Sequence, residues 1–175
     1  MATSVLLRSA TAADIEALCG LIFEHGPNPW NHLPPEPVRM HLQGIADGSV
    51  QTLLAEEGGQ LLGFVSFLTS QDFCHYQAPE RRELPQAYIA EAVVRREQAG
   101  RGLGSRLLRA ARDELLRQGV ADVYIERHEE NQASAGMMRK AGFRELLTFA
   151  DPARRPNGSQ RTTLCYWQAA PRITG

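Results

Sequence analysis

The chain has 175 residues, 43% of them hydrophobic and 22% charged, with a net charge of −1. That length supports one domain over residues 1–175, with a substantial core and no need of disulfide staples. The near-zero charge argues against general affinity for nucleic acid or an anionic membrane surface, so neither is expected as a partner.

Val5 to Arg8 reads as a short strand. Thr11-Ala12-Ala13-Asp14 then offers a helix cap, and Ile15, Leu18, Leu21 and Ile22 recur at helical spacing behind it. Gly26 to Pro37 contains five prolines together with Trp30 and His32, and cannot form one regular element. Val38 to Ile45 predicts a second short helix, ended by Asp47-Gly48. Val50 to Ala55 and Leu61 to Leu68 read as strands joined by the hairpin turn Glu57-Gly58-Gly59.

Ser70 to Pro85 is a polar loop carrying Cys74, His75 and Tyr76. A strand follows over Ala87 to Val94, and a helix over about Leu103 to Gln118. Leu103, Leu107, Ala111 and Leu115 form the apolar stripe of that helix, while Arg106, Arg109, Asp113 and Arg117 face water. Asp122 to Arg127 is a further strand and Ala133 to Lys140 a short helix. Phe143 to Phe149 and Thr162 to Trp167 close the chain as two strands around the turn-rich Asp151 to Gln160. Strands that come first as a hairpin and later alternate with helices predict an α/β (α+β) fold. Its sheet is mixed and mostly antiparallel, of about seven strands, with helices on both faces.

The most informative stretch is Gly100-Arg101-Gly102-Leu103-Gly104-Ser105, set between the Ala87–Val94 strand and the following helix. A strand, a glycine turn and a helix N-terminus suit a diphosphate, because the first helical N–H groups lack intrahelical partners and the helix dipole favours negative charge. No Lys-Ser or Lys-Thr follows the glycines, which excludes the phosphate loop of nucleotide hydrolases. Ser105 rather than glycine follows Gly104, which disfavours a dinucleotide fold. Arg95, Arg96, Arg101, Arg106, Arg109 and Arg112 cluster around the turn, and arginine pairs well with phosphate oxygens. For Arg109 and Arg112 a solvated helix face is the preferred reading.

A second segment, Asn131 to Phe143, joins the first in a known pattern. The chain resembles the GNAT family of N-acetyltransferases. The family's first motif, Gln/Arg-x-x-Gly-x-Gly/Ala after Val-x-Pro, is approached by Val94-Arg95-Arg96 and Ala99-Gly100-Arg101-Gly102-Leu103-Gly104. Its second, Asn-x-x-Ala/Ser-x-x-x-Tyr-x-Lys-x-Gly-Phe, is matched in register by Asn131, Ser134, Lys140, Gly142 and Phe143. Ala99 and Arg96 depart from the first motif, and Met138 stands where many members carry a Tyr that protonates the departing thiolate.

The resemblance implies an acyl-CoA N-acyltransferase fold with its cofactor-binding core at about 87–149, and acetyl-CoA as cosubstrate. It implies that Ala99, Gly100, Arg101, Gly102, Leu103, Gly104 and Ser105 cradle the diphosphate, and that Asn131 and Ser134 also contact the cofactor. Asn131 has an equal reading as the cap of the helix that follows it. The end of the Ala87–Val94 strand would hold the pantetheine arm, with an N–H of Val93 or Val94 polarising the thioester carbonyl. Homodimers are common in the family, an analogy that leaves monomer and homodimer both open here.

The amine to be acylated is protonated at neutral pH, with a lysine-like pKa of about 10.4, so a base helps. Glu91 is the candidate, an acidic residue inside the otherwise apolar Tyr88–Val94 run. Partial burial would raise its pKa toward the working range. Met138 cannot donate a proton, which leaves Tyr124, Tyr76, Ser134 or a water as general acid, or unassisted departure of the thiolate. Trp30, His32 and Tyr76 sit in the two irregular loops expected to flank the acceptor and are the substrate-wall candidates.

Cys19, Cys74 and Cys165 are scattered without metal-ligand spacing, so no metal is expected and the thiols are read as reduced, in a cytoplasmic setting. The N-terminus lacks the basic and apolar stretches of a signal peptide, and no apolar run approaches membrane-spanning length. The leading expectation is an N-acetyltransferase acting in a ternary complex on a primary amine of a small molecule or peptide. The rival is a non-catalytic acyl-CoA-binding or sensor module.

Overall fold

A computed structural model describes residues 3–170. Seven strands form one sheet: β1 (Leu6–Ser9), β2 (Gln51–Glu57), β3 (Gln60–Thr69), β4 (Gln86–Val94), β5 (Asp122–His128), β6 (Arg144–Ala150) and β7 (Arg161–Gln168). Their order is β1-β2-β3-β4-β5-β7-β6, and every neighbouring pair is antiparallel except β4–β5. The four helices are α1 (Ile15–His25), α2 (Pro35–Asp47), α3 (Leu103–Arg117) and α4 (Gln132–Lys140).

Each predicted element is present, and most boundaries move by one or two residues. The largest change is at α2, which starts at Pro35 rather than Val38. Pro35 and Pro37 occupy its first turn, where a missing N–H costs nothing and a fixed φ suits the helix. The helix ends at Gly48, whose φ of 82° is the left-handed conformation that releases the chain toward β2.

The helices divide between the two faces of the sheet. Leu18 and Ile22 of α1 and Leu42 of α2 pack on Leu54, Phe64 and Val93. On the opposite face, Leu107, Leu108, Ala111 and Leu115 of α3 pack on Val65, Phe67, Ile89 and Ile125, joined by Met138 of α4. The stripe read from the sequence is the buried side of α3. Each such side chain, fully buried, contributes roughly 1.5–3 kcal/mol.

Two irregularities in β4 shape the site. Ser66 of β3 faces Glu91 while Phe67 faces Ile89, so Ala90 is an extra residue on β4, a β-bulge. The inserted residue inverts the alternation: Ile89 lies under α3, whereas Val93, four residues on, lies under α1 and α2. Glu91 therefore shares the α1–α2 face with Val93. Just beyond that point the sheet opens. β4 and β5 pair only over Gln86–Ile89 with Asp122–Ile125, yet β4 continues along β3 to Val94 and β5 along β7 to His128.

Candidate active site

The seam between β4 and β5 leads into two adjoining cavities. One, of about 470 Å³, runs from Ala92–Val94 along the glycine turn to the start of α3 and the first turns of α4. The other, of about 340 Å³, lies over Tyr88–Val93 and is walled by α2, α4 and the loops Gly26–Pro34 and Asp151–Gln160. Asn31, Ala92, Val93, Asn131, Ser134 and Met137 line both, so the two rooms communicate.

The larger room has a main-chain floor. The first helical hydrogen bond of α3 runs from Arg106 N–H to the Gly102 carbonyl, which leaves the N–H groups of Leu103, Gly104 and Ser105 without intrahelical partners. Gly100 and Gly102 have φ of 81° and 74°, and a Cβ built on either meets nothing within 4 Å. Glycine is required there by the backbone conformation, and its bareness keeps the turn open. Gly104 has a different reason: a Cβ would stand 2.5 Å from Met137 Sδ, where α3 and α4 cross. These groups fit the diphosphate of a nucleotide cofactor, since free amides and a helix dipole converge beside a cavity.

Of the residues expected there, Val93, Val94, Ala99, Gly100, Gly102, Leu103, Gly104, Ser105, Asn131 and Ser134 line this room and Arg101 does not. Arg101 is hydrogen-bonded to Gln98. The expected arginine cluster is spent on structure. Arg95 donates to the Leu61 carbonyl at 2.6 Å, Arg96 to Pro27 at 3.0 Å and Arg106 to Val5 at 3.3 Å. Arg112 caps the end of α4 at Ala141 and lies 5.1 Å from the Trp167 ring, so it is no solvated residue. Lys140 is the cation lining this room.

Asn131 Oδ1 accepts the Ser134 N–H at 3.1 Å and so caps α4, one of its two expected roles. The expected amide at the end of β4 becomes more definite. Arg95 N–H donates to the Leu62 carbonyl of β3 at 2.8 Å, and alternation along the strand turns Val93 the same way. The main-chain groups of Ala92 and Val94 point into the opened seam instead, which singles out Val94 N–H and removes Val93.

In the smaller room Glu91 stands on the bulged strand with no hydrogen bond or ion pair to another described residue. Burial pushes its carboxyl up to about 7, with Arg155 pulling weakly the other way. Ser66, its cross-strand neighbour, is bonded to His41 Nε2 at 2.8 Å, and burial holds that imidazole below its ordinary pKa. His32 lines the room as expected. Trp30 and Tyr76 line neither cavity. Trp30 packs on His128 with ring centroids 4.6 Å apart, and Tyr76 packs on His75 at 3.9 Å. Aromatic rings in these two segments serve packing, and the Trp30 carbonyl accepts from Arg155 at 3.4 Å.

Proton donors fare similarly. Met138 lines the room, buried and without an exchangeable proton. Tyr124 lies beneath Phe73, bonded to Gln77 and pushed up to about 12 mainly by burial, away from both cavities. Sequence reasoning missed Tyr88, His41, Glu126, Arg154 and Arg155, all of which line the room. The only signal for the arginine pair was its place in a turn-rich loop, which reads equally as surface. Among the described residues no cluster of His, Cys, Asp or Glu could hold a metal ion, and no helix is long and apolar enough to cross a membrane.

A split sheet whose seam opens on a glycine-rich helix start defines an acyl-CoA N-acyltransferase fold. The family model described as "Acetyltransferase (GNAT) family" matches residues 15–143, and the chain belongs to that family, whose acetyl donor is acetyl-CoA. Solved structures share the fold at low identity. The ribosomal-protein-alanine N-acetyltransferase of Brucella melitensis is 22% identical with a TM-score of 0.71, covering 94% of this chain and 99% of its own. The yncA protein of Salmonella typhimurium, solved with its cofactor acetyl-CoA, is 20% identical at a TM-score of 0.70, covering 97% and 99%. A Bacillus subtilis acetyltransferase in complex with CoA is 15% identical at 0.66, covering 96% and 99%. No curated protein sequence matches the chain.

Proposed function

We propose that the chain is a single-domain N-acetyltransferase that moves the acetyl group of acetyl-CoA directly to a primary amine of a small molecule or peptide. The observation that carries this reading is Glu91: an unpartnered carboxyl with a pKa of about 7, in a room that opens into the cradle at the start of α3. Acetyl-CoA supplies an acetyl group activated as a thioester. The N–H groups of Leu103, Gly104 and Ser105 hold the diphosphate, and Val94 N–H faces the carbonyl oxygen as charge develops on it.

Glu91 takes the proton of the incoming ammonium, which frees the nitrogen lone pair for attack. At pH 7 about half of Glu91 is ionised, the balance a base near its working pH requires. Met138 gives no proton to the leaving sulfur. A thiol of ordinary pKa, about 8.5, leaves as thiolate without one. The nitrogen sheds two protons in all: Glu91 takes the first and passes it to solvent, and the second leaves the tetrahedral adduct for water as the carbon–sulfur bond breaks.

Initial-rate assays with acetyl-CoA and a panel of amines, reading free thiol release, test the reading. Turnover that rises with pH through about 7 supports it. Saturable acetyl-CoA binding with no thiol release on any amine would leave a binding module instead.

A further inference from the structure

Three arginines line the acceptor room, and two of them are already neutralised. Arg127 Nη2 meets Glu145 at 2.6 Å, and its Nη1 donates to the carbonyls of His128 and Glu129 at 3.0 and 2.7 Å. Arg154 is held by Glu126 at 2.7 Å and by Asp151 at 2.8 Å. Arg155 differs: no described carboxylate lies within 4.0 Å of it. Its Nε donates to Thr162 Oγ1 at 2.9 Å and its Nη1 to the Trp30 carbonyl at 3.4 Å. Thr162 in turn donates to Asp151 at 2.6 Å, so the guanidinium is fixed from behind. A guanidinium has five N–H donors, and these two contacts leave the Nη2 group without a partner among the described residues.

Cancelling the paired charges leaves the room with one free carboxyl, Glu91, and one free guanidinium, Arg155. Burial disfavours the charge on each, pushing Glu91 up and Arg155 down. A desolvated, pre-positioned guanidinium with no described carboxylate in direct contact is suited to an anion, which it can take through two parallel hydrogen bonds. The ammonium belongs at Glu91 under the function proposed above, on which this inference rests. We infer that the acceptor is an amine that also carries an anionic group, a carboxylate or a phosphonate, and that Arg155 is the residue that selects it. The clasp between Arg155 and Trp30, reinforced by Asn157 Nδ2 donating to the Pro29 carbonyl at 2.8 Å, holds together the two loops that wall the room.

Matched acceptors test this. Free α-amino acids, ω-amino acids and aminoalkylphosphonates are each compared with the neutral amide or alcohol that keeps the amine and lacks the anion, and kcat/KM is read from thiol release. The acids should exceed their neutral partners by about 10- to 100-fold, the range of a hydrogen-bonded charge. The carboxylate and phosphonate arms then tell which anion fits. In Arg155→Gln that ratio should fall toward one, mainly through KM of the acid, and Arg155→Lys should restore part of it. Neutral amines turned over as fast as the acids would overturn the inference while leaving amine acetylation intact. So would a ratio unchanged in Arg155→Gln. Failure of every amine, charged or neutral, to release thiol would overturn the transferase reading itself and this inference with it.

Discussion

Replacing Glu91 with glutamine should do two opposite things, and both follow from one perturbed carboxyl. In the folded protein its pKa rises from 4.5 to about 7, because burial penalises the carboxylate. The native state therefore binds a proton more tightly than the unfolded chain between those two values. Stability attributable to this site is greatest below about 4.5, falls as pH rises, and levels off above about 7. At pH 8 the buried charge costs up to about 3–4 kcal/mol, from the rise from 4.5 to about 7 at about 1.4 kcal/mol per pH unit. Glu91→Gln removes that cost while keeping shape, so its Tm at pH 8 should exceed wild type by at most roughly 15 °C. At pH 4 the two proteins should melt alike. Activity should move the other way, with kcat/KM down about 10²–10⁴-fold and its rise near pH 7 abolished. Melting curves at pH 4, 6 and 8 beside pH–rate profiles make the measurement. A stability difference that ignores pH, or a variant that keeps the limb near 7, would refute the reasoning.

Gly102→Val should lose the melting shift given by CoA, about 2.7 kcal/mol of stabilisation at 100 times Kd, because a β-branched residue cannot hold the φ of 74°. An undiminished shift in calorimetry would remove this turn from the cradle. Gly104→Ala should change stability by less than about 1 kcal/mol in denaturant titrations, because the flexible end of Met137 can move off the new Cβ and alanine gains helix propensity. Asn131→Ala should cost about 1 kcal/mol as the cap of α4 is lost, lowering Tm by roughly 2–4 °C whether or not CoA is present.

Much of the fold could be read because local signals and tertiary needs agree. The i, i+4 stripe from Leu103 to Leu115, the Glu57-Gly58-Gly59 turn and the Asp47-Gly48 stop each specify an element without help from distant chain. The open glycine turn at the start of α3 was legible for the same reason, since its conformation depends on glycine placement. The bulge at Ala90 was not. Apart from Glu91, Tyr88 to Val94 is apolar on both sides, so no alternation exists for an inserted residue to break. Charges misled for a related reason. An arginine near the phosphate turn in sequence finds carbonyls such as Leu61 and Pro27, which only the folded chain brings close. Arg155 is the reverse case, a loop residue indistinguishable from a surface one until Thr162 and Trp30 are seen to hold it.

That hold ties two properties of the enzyme together. The same short loop brings Arg155 to the smaller room and pins the proline-rich stretch that also walls it, through Asn157 and Arg155. Substitutions there that retune which molecules are accepted will also slacken the far wall. Drift toward new acceptors should therefore proceed by paired changes in the two segments rather than by single steps in either.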